Sequence, residues 1–182
     1  MRTGLCLLRS TCGAAAVEMA LVAPLLLVLL FGTLDVGWRL LAEYRLSQTA
    51  ASLADLVARA RDLRPNDLEN AFAALPPIAA PFDLRTDGTA IVSGIEADAA
   101  GRAVVVWQRR SPWGLPLGSV LGAPGASVPR ELVVLQPREA VVAGEVVLRF
   151  RPLVGLVLPG ERTIRRVWFA APRYGVLDDP SS

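Results

Sequence analysis

Glu18 is the chemically awkward side chain in this sequence. It is the lone charge in an apolar run over residues 13–34. About 20 apolar residues suffice to cross a bilayer as a helix. A carboxylate inside such a helix is costly and by default marks a function with a named partner. Glu18 follows Gly13 through Ala14-Ala15-Ala16-Val17 and precedes Met19. A cut after Gly13 would give Ala14 a free amine. Burying that amine among packed helices is expensive unless an opposite charge meets it. Glu18, about one helical turn further on, can meet its own amine or that of a staggered neighbouring helix. Its charge also suits the positive end of the helix dipole. Ala14, Ala15 and Ala16 form a small-residue face that lets helices approach closely. A plainer reading leaves Glu18 in the headgroup region.

The remaining residue types argue against chemistry at a catalytic centre. Histidine is absent, which removes the commonest general base and metal ligand. All 19 basic residues are arginine. With no lysine there is no P-loop, and no Gly-x-Ser-x-Gly or calcium loop occurs. Cys6 and Cys12 both precede the apolar run, so no disulfide framework can form after it. Neither a metal site, a cofactor nor an enzyme is expected. The net charge of +2 vanishes once Arg2 and Arg9 are set aside, since 17 arginines then face 17 acids. The arginines are scattered and Arg109-Arg110 is too small a patch for nucleic acid. Asp83, Asp87, Glu96 and Asp98 read as solvated, and Glu145 as an outward-facing residue of an apolar strand.

Residues 14–34 read as a transmembrane helix. Pro24 inside it is tolerated in a membrane when neighbours satisfy the freed carbonyl, and marks a kink. A secretory signal peptide fits poorly, because the apolar run is too long and Thr33-Leu34-Asp35-Val36-Gly37-Trp38 offers no small-x-small cleavage site. A lipoprotein anchor at Cys12 fails because Arg9-Ser10-Thr11 before it is polar. A plain signal anchor explains the hydrophobicity but not Glu18. Arg2 and Arg9 favour a cytoplasmic N-terminus and a periplasmic remainder.

Residues 35–62 continue the helix in amphipathic form. Trp38, Ala42, Leu46, Ala50, Leu53 and Val57 recur every three or four positions, a stripe best read as packing against a soluble domain. Asp35 and Arg39, and Asp55 and Arg59, are spaced as i,i+4 pairs. Pro65 stops the rod. Asn66 with Glu69 predicts a capping box for a short helix, ended by Pro76-Pro77, that shows Leu68, Phe72 and Leu75 on one face. Runs at 89–97 and 102–109 around Asp98-Ala99-Ala100-Gly101 predict an antiparallel hairpin. Residues 111–130 are a long glycine- and proline-rich loop. A short strand at 132–135, the strongest strand at 140–151 and a last one at 163–170 follow, the last supplying Ile164, Val167 and Phe169 to the core. The fold class is α+β: a long transmembrane-plus-amphipathic helix, a short helix and an antiparallel sheet of about four strands. The segments are a leader at 1–13, the span at 14–34, a helical part at 35–77 and a β domain at 78–182.

The layout of Gly13, four small or apolar residues, Glu18 and a membrane helix with Pro24 resembles that of type IV prepilins and pseudopilins. It is most similar to the TadE-like proteins of tight-adherence (Flp) pilus systems. Met19 stands where that family usually has phenylalanine or tyrosine. The strand runs Gly101…Val104-Val105-Val106-Trp107 and Glu145-Val146-Val147-Leu148-Arg149-Phe150-Arg151-Pro152, with Pro172-Arg173, also resemble the family, Leu148 departing from a frequent tyrosine. The resemblance implies a pilin-like fold. It implies a leader cut between Gly13 and Ala14 by a prepilin peptidase, and Glu18 as the partner of the new amine. Other pilins or pseudopilins and the inner-membrane assembly machinery would be the partners. A single-pass place in the bacterial inner membrane follows. The alternative is a generic signal-anchored periplasmic binding module working through the 111–130 loop.

Overall fold

The computed structural model describes residues 11–60, 63–157 and 159–173, with backbone alone for 11–14. Arg2, Cys6, Arg9, most of the expected leader and the Asp178-Asp179 tail lie outside the described residues. The element order is α1 (Thr11–Ala58), α2 (Pro65–Ala79), α3 (Leu84–Asp87), β1 (Gly88–Ala97), β2 (Ala103–Arg110), β3 (Ala140–Phe150) and β4 (Arg162–Ala170). The α+β class is therefore the one expected, with one short helix, α3, not anticipated. Asp83 caps α3 by accepting from the Arg85 and Thr86 N–H groups at 2.9 and 3.3 Å.

Two units share α1. The first takes α1 up to Trp38 together with residues 152–160, and the second takes residues 39–151 and 161 onward. Within the second unit, Ala42, Leu46, Ala50, Leu53 and Val57 are buried, so the apolar stripe is a core face. The helix closes at Ala58, short of residue 62, and the Ala58 carbonyl takes the Arg173 N–H at 2.9 Å. The Asp55–Arg59 ion pair forms. The Asp35–Arg39 pair does not: Arg39 turns instead to Glu43 at 3.1 Å.

α2 departs from its expected boundaries at both ends. Arg64, not Asn66, occupies the N-cap, and Pro65 is the first helical residue. Pro65 lacks an N–H that would have gone unpaired there, so it starts a helix as readily as it stops one. Asp67 accepts the Arg64 N–H at 3.1 Å, the role expected of Glu69. The helix also continues through Pro76 and Pro77 to Ala79, because Leu75 and Ala79 are buried on the face that carries Leu68 and Phe72.

The four strands are antiparallel in the order β2-β1-β3-β4. The β1–β2 turn is held by Asp98, whose Oδ1 accepts the Ala100 and Arg102 N–H groups at 2.9 and 2.8 Å. Gly101 there has φ of 73°, a conformation open to glycine. A register shift after Gly94 pairs Gly94 with Trp107 but Ile95 with Val105, leaving Val106 over. This bulge sends Val105 and Trp107, two residues apart, to opposite faces of the sheet. Trp107 packs over Gly94, where a Cβ would fall 2.3 Å from the indole nitrogen.

One face of the sheet meets α1. At Gly144 of β3 a Cβ would lie 2.4 Å from the Ala50 carbonyl oxygen and 2.8 Å from the Ala54 nitrogen. The helix backbone thus rests on the strand itself. The other face is covered by the long connection between β2 and β3, where Leu121, Val128 and Leu135 join Ile95, Val105, Val141 and Ala143 in a cluster. Val167 and Phe169 of β4 pack partly buried against that cluster, and Ile164 is buried. Residues 132–135 form no strand. Leu135 is buried in the cluster while Val134 stands exposed, so side-chain anchoring replaces ladder pairing. With both faces covered, β3 is buried along nearly its whole length, and alternation cannot be its signature.

Gly144→Ala should destabilise the protein by about 1–3 kcal/mol, since helix backbone cannot yield as a side-chain tip can. Thermal unfolding of the detergent-solubilised chain reads this, and an unchanged Tm would overturn the close approach.

Candidate functional site

The N-terminal part of α1 is apolar on every side. From Ala15 to Leu34 only Gly32 is buried, and Leu21, Leu25 and Leu29 all point outward. A helix that is apolar all round is either enclosed by protein or lies in lipid. Here the most apolar window is 0% buried with a mean hydropathy of 2.3, which favours lipid. Thr33 returns its hydroxyl to the Leu29 carbonyl at 2.7 Å, so its polar group makes no demand on the surroundings. Pro24 sits inside the helix and leaves the Ala20 carbonyl without its usual N–H partner.

Gly13 and Ala14 lie in the first turns of α1. Glu18 and Met19 are exposed on the same helix. Gly13, Ala14, Glu18, Met19 and Pro24 therefore share one helix. Among the described residues Glu18 has no hydrogen-bond or ion-pair partner, and no group of three or more acids or cysteines is placed to hold a metal ion.

Among the described residues, Asp35 and Glu145 are buried carboxylates. Asp35 is fully shielded at the end of the apolar run. Its Oδ1 accepts the Val154 N–H at 2.9 Å and its Oδ2 the Gly155 N–H at 3.0 Å. The Val154 N–H is the main cause holding its carboxyl below the ordinary aspartate range, against the opposing push of burial. Nothing local signals this contact, since the donors lie 119 and 120 residues away. The one local hint is an acid directly after a membrane run.

Glu145 is the second, and it corrects the outward placement expected from the strand. It is 0% exposed on the face covered by the β2–β3 connection. Arg165 on β4 pairs with its Oε1, Ser119 donates its hydroxyl to Oε2 at 2.5 Å, and the Val120 N–H reaches Oε1 at 3.1 Å. Arg165 also donates to the Gly118 carbonyl at 2.9 Å, and Gln108 to that of Gly122 at 3.0 Å. The 111–130 loop is thus pinned to the sheet by polar side chains. Beside it, Leu68, Phe72, Arg109, Arg110 and Pro112 line a surface cavity of about 240 Å³.

The class of protein follows from these features: an α+β chain whose N-terminal helix is long and apolar enough to cross a membrane, consistent with a single-pass anchor. The family is more particular. Residues 13–55 match the family model described as TadE-like protein. The match opens on Gly13, contains Glu18, Met19 and Pro24, and agrees with the resemblance read from those residues. It ends within α1, so the strand motifs stand outside it. No curated protein and no solved structure matches the chain.

Two outcomes test this geometry. Arg165→Ala should cost about 1.5–3 kcal/mol by removing the charged partner of a buried acid, read by chemical unfolding. Wild-type stability in that variant would show the pair to be dispensable. The Asp35 carboxyl, lowered in the folded state, contributes its tether fully above the ordinary value of about 3.9 and loses it as pH falls through the lowered one. Hydrogen-exchange protection at Val154 and Gly155 should therefore persist at neutral pH and disappear only below about pH 4. Protection unchanged at still lower pH would remove the carboxylate from the explanation.

Proposed function

We propose that this chain is a membrane-anchored pseudopilin or minor pilin acting in Flp-type, tight-adherence pilus assembly or secretion. It is a structural subunit and a substrate of a prepilin peptidase, not an enzyme. The observation that supports the reading is the TadE-like match over 13–55, which begins on Gly13 and includes Glu18 near the start of the exposed apolar helix. Removal of the leader frees the Ala14 amine, and Glu18 answers that charge on its own or a neighbouring helix as pilins pack together. The exposed apolar flank from Val17 to Leu30 serves lipid before assembly and partner helices within it. The N-terminus lies in the cytoplasm, the anchor crosses the bacterial inner membrane once, and the sheet domain faces the periplasm.

N-terminal sequencing of the purified mature protein should begin at Ala14, and Gly13→Leu should leave Met1 in place. A mature wild-type protein that retains Met1 would falsify the peptidase step and favour a plain signal anchor. Glu18→Ala should insert normally but lose co-assembly with partner pilins. Normal piliation and partner pull-down in that variant would remove the pairing role.

A further inference from the structure

The segment 152–160 belongs to the same unit as the membrane end of α1. Its first six residues, Pro152-Leu153-Val154-Gly155-Leu156-Val157, carry no charge. Leu153 and Leu156 are 58% and 54% exposed, with Val154 and Val157 also outward. Such side chains on a loop in water gain nothing, and contiguous exposed apolar surface marks an interaction site. Yet the loop is not loosely placed. A Cβ on Gly32 would meet the Val157 Cγ2 at 3.0 Å, and Asp35 holds the Val154 and Gly155 N–H groups.

The level of these contacts names the occupant. Gly32 lies two residues before the end of the apolar run, about 3 Å along the axis inside its boundary. Irregular backbone is excluded from the lipid-exposed hydrocarbon core, so at its interfacial edge the backbone polar groups need partners. Asp35 supplies such a partner, and the acid is itself hidden by the loop. Apolar side chains at this depth match the shallow burial of interfacial segments, about 5–10 Å into the headgroup and acyl boundary.

We infer that residues 152–157 form a second membrane contact, an apolar loop seated in the bilayer interface beside α1 and held there by Asp35. The inference rests on α1 spanning the membrane, and its occupant is lipid rather than a partner protein. The loop then fixes which side of α1 faces the interface, a rotational constraint that a lone helix lacks.

The test uses the full chain with Cys6→Ser and Cys12→Ser, reconstituted in phosphatidylglycerol–phosphatidylethanolamine vesicles containing doxyl-labelled acyl chains. A polarity-sensitive NBD label is placed at Leu156→Cys or, separately, at Leu27→Cys, with free NBD-cysteine in the same suspension as the water reference. Both labels should emit to the blue and be quenched several-fold more than the reference. Asp35→Ala should lower quenching at 156 and not at 27. Quenching at 27 alone overturns the loop contact and leaves the anchor standing. Quenching at neither position overturns both. A label at 156 that is shielded from water but not quenched by lipid overturns the proposal in favour of a protein cover. Undiminished quenching at 156 in Asp35→Ala overturns the tether.

Discussion

The helix α1 joins an apolar, outward-facing half to a half packed in a core with one unbroken backbone. From Ala15 to Leu30 nearly every side chain is exposed, and from Ala42 to Val57 one stripe is fully buried. The change occurs where the sequence passes from leucine and valine repeats to a three-and-four pattern with polar residues between. The second half is held by a contact that allows no side chain at all, since Gly144 leaves room only for the backbone of Ala50 and Ala54. Sheet placement, and with it the cover on the opposite face, depends on that approach. Small residues recur at both ends of this logic: Ala50 and Ala54 face Gly144 in the second unit, and Gly32 receives Val157 in the first.

What was legible in the sequence was what the backbone period encodes. The stripe from Ala42 to Val57 and the hairpin around Asp98 announce themselves through spacing and turn chemistry, and β3 shows as a strand but not as one buried on both faces. The misplacements have physical causes of one kind. Pro65 and Pro76-Pro77 are helix breakers by local preference, but one sits at a first turn and the others lie between the buried anchors Leu75 and Ala79. Residues 132–135 have strand composition without a strand partner. The bulge at Gly94 breaks the alternation that would have sent Val105 and Trp107 to the same face.

The buried acids were illegible for a different reason. Glu145 reads as outward because an acid in an apolar strand has no stated partner. Its partners, Arg165 and Ser119, are 20 and 26 residues away and meet it only after the sheet has formed. Asp35 reads as half of a helical ion pair because Arg39 is four residues on. The backbone donors at Val154 and Gly155 win because they are fixed in place and demand an acceptor, while Arg39 has Glu43 within reach.

These two acids set a standard for the third. An anionic side chain in apolar surroundings must be answered, and the chain answers Asp35 with loop amides and Glu145 with an arginine and a hydroxyl. Glu18 lies on a helix whose neighbours are all apolar, and the described residues offer it nothing comparable. If Glu18 lay at headgroup level, water would suffice and any polar residue would serve there. If it is drawn into a bundle, only a cation at the same depth suffices. A freed Ala14 amine is such a cation, and it lies on the same turn-length scale along the helix. Among the described residues Asp35 and Glu145 are answered from within the chain, and the proposed assembly would answer Glu18 in the same way, with a cation at its own depth.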